Sequence, residues 1–354
     1  MKTVLTVTGI RPDFIRMSNV FKALDSEPTI NHILIHSGQH YDSLLSGVFF
    51  KDLKIREPDY NLNIGRDSNN HYEQQSKLTI NLINLIKNNN LKPDLILFLG
   101  DSNSVLASIP LKKEGYTVGH IEAGMRSYDE RMLEEINRKA CDHVSSFLFV
   151  YHDDYKQNAL KENISEDKIY VVGNTIIEPL RSIADINYKG TKSHILLDIH
   201  RPENFKYKNR LKTIVDYGNF CYNKTKTLVK MLGFGRTLDY IQKYNINLGN
   251  INVVPLMGYK DFVKFMQDSL FIISDSGTAQ EEPALLGIPV VVPRDYTERP
   301  QSILYNNSFM LNVDSDVHFN KSLEWCYSTR NSSNEWLGTG DTSSKIVEII
   351  KQKL

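Results

Sequence analysis

Short apolar runs alternate along this chain with longer stretches whose apolar residues recur at helical spacing, and the alternation stops once and starts again. Continuous apolar runs suit strands covered on both faces, and their alternation with helices marks βαβ units and parallel sheets. Strands are predicted at 3–8, 32–36, 95–99, 118–121, 147–150 and 170–172, and after a polar stretch at 195–199, 227–231, 252–254, 271–273 and 290–292. The first set predicts one doubly wound sheet and the second set another, with a hinge at 185–193. Domains of 1–184 and 185–340 follow. The segment 341–354, with Ile346, Ile349 and Ile350 at helical spacing, predicts a closing helix that packs back toward the first domain. The length of 354 residues fits two domains of roughly 150 residues each.

Two Rossmann-type domains facing across a cleft make an α/β fold of GT-B-like arrangement, though many folds share the alternation. Lys plus Arg and Asp plus Glu both total 42, so no global field favours nucleic acid or an anionic membrane, and an anionic ligand must be held locally. Three scattered cysteines, Cys141, Cys221 and Cys326, fit a reducing cytoplasm and argue against a disulfide framework or thiolate metal site. The apolar run before Gly9 is too short for a signal segment, and no run reaches about 18 apolar residues, so the chain is predicted to be cytoplasmic.

Ligands of open parallel sheets lie beyond the carboxyl ends of the strands. The first strand runs into Gly9-Ile10-Arg11-Pro12-Asp13, where Arg11 and Arg16 bring positive charge to a helix start suited to a diphosphate, or are surface arginines at an ordinary turn. Asp101 follows the strand at 95–99 and suits a helix N-cap as well as catalysis; Glu134 suits a favourable first-turn charge as well. Glu122 ends an apolar strand directly, which fits neither structural role and costs free energy if buried alone, so function is favoured there. In the second half, His200 leaves a strand beside Arg201, where a histidine titrating near neutrality can face a diphosphate or cap the next helix. Ser276, Gly277 and Thr278 form a turn able to cradle phosphate, and Glu282 one turn later can accept from ribose hydroxyls. No HExxH or closely spaced His/Cys set occurs, so neither a metal nor another cofactor is called for. His36, His40 and His120 are read as structural or hydrogen-bonding.

The motifs Gly9–Asp13, 37–40 (Ser-Gly-Gln-His), 100–102 (Gly-Asp-Ser), 120–126 (His-Ile-Glu-Ala-Gly-Met-Arg), 134–138 (Glu-Glu-Ile-Asn-Arg), 172–175, 200–204 (His-Arg-Pro-Glu-Asn), 275–282 and 294–300 run in one order that resembles the non-hydrolysing UDP-N-acetylglucosamine 2-epimerases. The stretch 37–62 looks closer to the branch serving capsule and O-antigen pathways, which acts on modified UDP-sugars such as UDP-N-acetyl-L-rhamnosamine and UDP-N-acetyl-L-quinovosamine. Departures include Ile10, Asp13, Asp198, Pro202 and Thr278, around the ligand positions. The resemblance implies an isomerase, a UDP-sugar as its partner and a homodimer. It implies acid/base work for Asp101, Glu122 and Glu134, diphosphate binding by Arg11, Arg16 and His200, and phosphate and ribose contacts from Ser276, Gly277, Thr278 and Glu282. Gln39 and His40 resemble a segment near a second nucleotide-sugar site in some members.

Inversion at carbon 2 of such a sugar needs the nucleotide to leave first, because C2–H is acidified only when the neighbouring carbon becomes cationic. An anion clamp and carboxylates on both faces of C2 are the parts this demands. A hydrolysing 2-epimerase, a GT-B glycosyltransferase and a silent nucleotide-sugar sensor remain alternative readings of the same residues.

Overall fold

The structure, a computed structural model, describes residues 1–38, 47–65 and 70–354. Gln39 and His40 lie outside the described residues. The apolar runs become the strands of two parallel sheets. In the first, β1 (Lys2–Thr8), β2 (Ile30–His36), β3 (Tyr60–Asn61), β4 (Leu95–Leu99), β5 (Val118–Ile121), β6 (Phe147–Val150) and β7 (Ile169–Val171) stand in the order β3-β2-β1-β4-β5-β6-β7. In the second, β8 (His194–Asp198), β9 (Leu228–Leu232), β10 (Ile251–Val254), β11 (Ser269–Ser274), β12 (Val290–Val292) and β13 (Ser308–Met310) stand in the order β10-β9-β8-β11-β12-β13. Both are doubly wound, and the order reverses between β1 and β4 and again between β8 and β11, the points where such sheets open toward ligands.

The chain forms two compact units, Met1–Pro179 with Leu337–Leu354, and Leu180–Trp336. The first buries Leu5, Val7, Ile96 and Phe98 from its strands against Leu78, Leu82 and Ile86 of the helix His71–Asn88. The second buries Leu197, Met231, Phe271 and Ile273 against Leu211, Val215 and Tyr217 of the helix Lys208–Thr225. The helix Thr342–Lys353 belongs to the first unit: Ile346, Val347 and Ile350 are buried, and the Ser343 hydroxyl donates to Glu178 at 2.6 Å. Two edge strands, β3 and β13, were not predicted. Their segments, Tyr-Asn and Ser-Phe-Met, are too short to carry a periodic signal and are set by backbone pairing to β2 and β12. No helix among the described residues is long and apolar enough to cross a membrane.

Candidate active site

β1, β4 and β5 each end in a loop that carries charge to one place. After β1 the chain enters the helix Arg11–Ser26, with Pro12 in its first turn and the Asp13 carboxylate accepting from the Ile10 N–H at 3.4 Å. One turn on, the same helix turns Arg16 inward, where it is buried and ion-paired with Glu122. After β4, Gly100 has φ +74°, and a side chain there would lie 3.9 Å from carboxylate oxygens of both Asp13 and Glu122 and 4.0 Å from Arg16 Nη1. A glycine thus accommodates the turn and leaves open the space these groups share. Glu122, directly after β5, has φ +71° and is buried. A non-glycine residue in that conformation costs about 1–3 kcal/mol, the kind of strain that persists where surrounding contacts enforce it.

Those contacts come partly from the helix Leu133–Val144. Arg138 Nη2 donates to Asp101 Oδ2 and, at 3.3 Å, to Glu122 Oε1, so one guanidinium joins two of the three expected carboxylates. Asn137 Nδ2 donates to the Asp101 carbonyl at 2.8 Å, which fastens the helix to the loop after β4. Glu134 is half-buried one turn before Arg138. Its neighbour Glu135 is fully buried and accepts from the Ser127 N–H at 2.9 Å and the Tyr128 N–H at 3.2 Å, holding the loop ahead of the helix. Burial pushes the Asp13 carboxyl up to about 7, a rise that Arg16 opposes and Asp101 reinforces.

His120 supports this floor from below. Its Nε2 lies 2.7 Å from the Gly100 carbonyl and its Nδ1 2.6 Å from Asp142 Oδ1. Acceptors on both sides require both ring nitrogens to donate, which is the imidazolium. Burial works against that charge, but the Cys141 sulfur and Asp142 outweigh it and raise the ring to about 10. Asp142 is balanced in turn by Arg126, at 2.7 Å.

In the second unit the loops after β8 and β11 are tied together by Asp275. Its carboxylate accepts from the N–H groups of His200 at 3.0 Å and Arg201 at 3.1 Å and from Asn204 Nδ2 at 3.0 Å. The His200 Nδ1 lies 3.0 Å from Asp198 Oδ1. Ser276 and Thr278 are half-buried on the turn after β11, and a Cβ on Gly277 would come within 2.4 Å of Arg299 Nη1, so a side chain there would displace the Arg299 guanidinium. Glu282, expected at a ribose, is buried and accepts from the Tyr259 hydroxyl at 2.6 Å. Behind the turn, Arg299 pairs with Glu281 and Glu298, each at 2.8 Å, and Arg294 reaches Glu298 at 3.2 Å.

The structure therefore brings Asp101, Glu122 and Arg16 into one cluster and puts Arg11 at the first residue of the helix that enters it. His200 meets two carboxylates that sequence reading had not assigned to it. Arg138, Asp13, Tyr259 and the Arg299 network were also given no role. Arg138 had a signal, since a helix sets it four residues after Glu134 on one face; the charge run 294–299 directly after an apolar strand was another.

Comparison with known proteins places the whole chain in one family. Residues 22–351 match the family described as UDP-N-acetylglucosamine 2-epimerase. A UDP-N-acetylglucosamine 2-epimerase of Methanococcus maripaludis is 34% identical over 97% of both chains. A UDP-2,3-diacetamido-2,3-dideoxy-D-glucuronate 2-epimerase of Pseudomonas aeruginosa is 31% identical over 98% of this chain and 99% of its own. The crystal structure of the Methanocaldococcus jannaschii UDP-GlcNAc 2-epimerase in complex with UDP-GlcNAc and UDP superposes with a TM-score of 0.90 at 32% identity, covering 99% of this chain and 100% of that one. The chain is an isomerase and belongs to the UDP-N-acetylglucosamine 2-epimerase family.

Proposed function

We propose that the protein inverts carbon 2 of a UDP-N-acetylhexosamine by eliminating UDP and adding it back, without releasing the free sugar. The observation that carries this reading is the meeting of Asp101 and Glu122 on Arg138 Nη2, because two carboxylates held side by side can exchange a proton at one carbon. In the first step the C1–O bond breaks, UDP leaves with the electron pair, and a carboxylate takes the proton from C2 to give a 2-acetamidoglycal. In the second, a proton returns to the opposite face of C2 and a UDP oxygen bonds to C1. Asp101, Glu122 and Glu134 share the proton transfers and steady the cationic carbon. Arg11, His200 and the turn Ser276-Gly277-Thr278 hold the diphosphate, and Glu282 holds the ribose.

The substrate class follows the relatives, which include enzymes named for UDP-N-acetylglucosamine and for a diacetamido UDP-uronate. We place the reaction in the cytoplasm, supplying sugar for a surface polysaccharide such as capsule or O-antigen. Incubation in heavy water with UDP-GlcNAc, UDP-N-acetyl-L-rhamnosamine and the 2,3-diacetamido UDP-glucuronate, followed at C2 by NMR, tests it. Deuterium entering C2 together with appearance of the 2-epimer is the expected result for one of these sugars. Free sugar and UDP accumulating instead would assign the hydrolysing outcome, and no exchange in any of them would end the proposal.

A further inference from the structure

Asp198 closes β8 with a carboxylate after the apolar run Ile195-Leu196-Leu197, and its side chain is only 8% exposed. Both of its oxygens are engaged. Oδ2 accepts from the Ser274 hydroxyl at 2.7 Å, and Oδ1 faces His200 Nδ1 at 3.0 Å. A second carboxylate oxygen, Asp275 Oδ1, lies 3.5 Å from the same nitrogen. Because a carboxylate accepts, Nδ1 must carry the proton, and the remaining ring nitrogen, Nε2, is the one left to face a ligand. The His200 side chain is 32% exposed.

The state of Nε2 decides the sign of its contact with a phosphate oxygen. In a neutral ring with the proton on Nδ1, Nε2 is an acceptor and repels the lone pairs of phosphate. In the imidazolium it is a charged donor. We propose that Asp198 is a positioning residue that keeps His200 in the imidazolium form, so that the second unit presents a fixed cation to the diphosphate. The inference rests on the reading of His200 as a diphosphate ligand.

The surroundings of the ring bear this out from every side. Asp198 comes from β8, Ser274 and Asp275 from the end of β11, Arg201 from the ring's own loop, and Phe234, 5.2 Å away, contributes an uncharged face. Burial and Arg201 oppose the charge on His200, but Asp198 and then Asp275 outweigh them, and the ring's pKa is raised. Burial also works against charge on Asp198, yet His200, Ser274 and Arg201 hold its pKa below the ordinary carboxylate range. Asp275 moves the other way, raised by its burial and by Asp198. Asp198 is therefore the counterion, while Asp275 serves the backbone N–H groups of His200 and Arg201.

The test is a histidine NMR titration of the ligand-free protein, with the His200 signal identified by its loss in His200→Gln. The expected midpoint in the unaltered protein lies above that of an exposed histidine, and Asp198→Asn or Asp198→Ser lowers it by about one pH unit or more. Calorimetry with UDP then reads the consequence: at pH 8.5 Asp198→Asn weakens binding about tenfold relative to the unaltered protein, and at pH 6 the two differ far less. A midpoint in the unaltered protein at or below that of an exposed histidine overturns the proposal even if neither variant folds. So does a midpoint the variants leave unmoved. A high midpoint in a protein that binds no UDP at any pH instead overturns the assignment of the diphosphate to His200 and leaves the Asp198 pairing standing.

Discussion

The two units repeat one topology and use it for opposite electrostatic ends. In each, charged loops follow the strands on either side of the point where the sheet order reverses, and in the first unit the loop after the next strand, β5, adds Glu122. In the first unit the charges there satisfy one another: Glu122 lies between Arg16 and Arg138, and Arg138 also reaches Asp101. In the second unit a fully buried carboxylate, Asp275, is occupied by backbone N–H groups, and the histidine beside it stays one-third exposed. A Rossmann-type sheet thus fixes where polar groups converge but not what they do. In the first unit Asp101 and Glu122, the groups proposed for acid/base work, are held by ion pairs before any ligand arrives, which is what electrostatic preorganisation requires. In the second, the His200 side chain is left partly exposed.

If the first unit is the chemical half, its variants must fail in turnover and not in UDP affinity. Asp101→Asn and Glu122→Gln are each expected to slow C2 exchange by about 10²- to 10⁴-fold, the usual range for removing a positioned acid or base. UDP binding by calorimetry should change little for either. Asp101 is the cleaner case, since its side chain is 21% exposed whereas that of Glu122 is fully buried. An Asp101→Asn protein with undiminished exchange breaks the division of labour drawn above.

Arg138→Met removes the group that bridges the two carboxylates and leaves Glu122 buried with part of its countercharge gone. Breaking a buried pair from one side costs about 3–5 kcal/mol, so denaturant unfolding should shift by that amount. A change below 1 kcal/mol would mean that the bridge is not structural.

Asp13 gives a pH signature confined to the first unit. Its folded pKa is raised to about 7 from 3.8, so between those values the folded chain holds a proton that the unfolded chain has lost. Stability contributed by this group is complete below pH 4, falls as pH rises toward 7, and stays lower above it. Asp13→Asn should remove that slope and leave the variant more stable than the parent at pH 8, by up to roughly 4 kcal/mol on the usual conversion of pKa units. Unfolding curves at pH 5 and pH 8 check it, and parallel behaviour of the two proteins at both would contradict the buried, protonated carboxyl.

The fold was legible because strands buried on both faces write themselves as unbroken apolar runs, and the positions of Asp101, Glu122 and His200 were legible because polar residues at the ends of such runs stand out. The edge strands β3 and β13 were not, since two or three residues paired through backbone leave no side-chain pattern. Nor were the partners. Arg138 meets Asp101 and Glu122 from a helix that follows them in the chain, and only the packing of that helix against the loop after β4 makes the contact. Asp198 could be seen as an odd carboxylate at the end of a strand, but its pairing with Ser274 depends on β8 and β11 being neighbours.

The smallest effect should come from Tyr259, which separates holding a ligand from holding the turn that binds it. Its hydroxyl, on the helix Tyr259–Gln267, donates at 2.6 Å to Glu282 Oε1, and both residues are about 4% exposed. Glu282 fully committed to Tyr259 is part of the scaffold; Glu282 sharing its carboxylate with a ribose is part of the site. Tyr259→Phe keeps the ring and removes only the donor, a hydrogen bond to a charged group worth about 1.5–3 kcal/mol. A stability loss in that range with UDP affinity nearly unchanged would make Glu282 structural. Equal affinity losses for UDP and for 2′-deoxy-UDP would point to a displaced turn. A loss for UDP alone, with the 2′-deoxy nucleotide already weak in the parent and no weaker in the variant, is what a ribose-binding Glu282 oriented by Tyr259 predicts, because the hydroxyl then acts only through the carboxylate it aims.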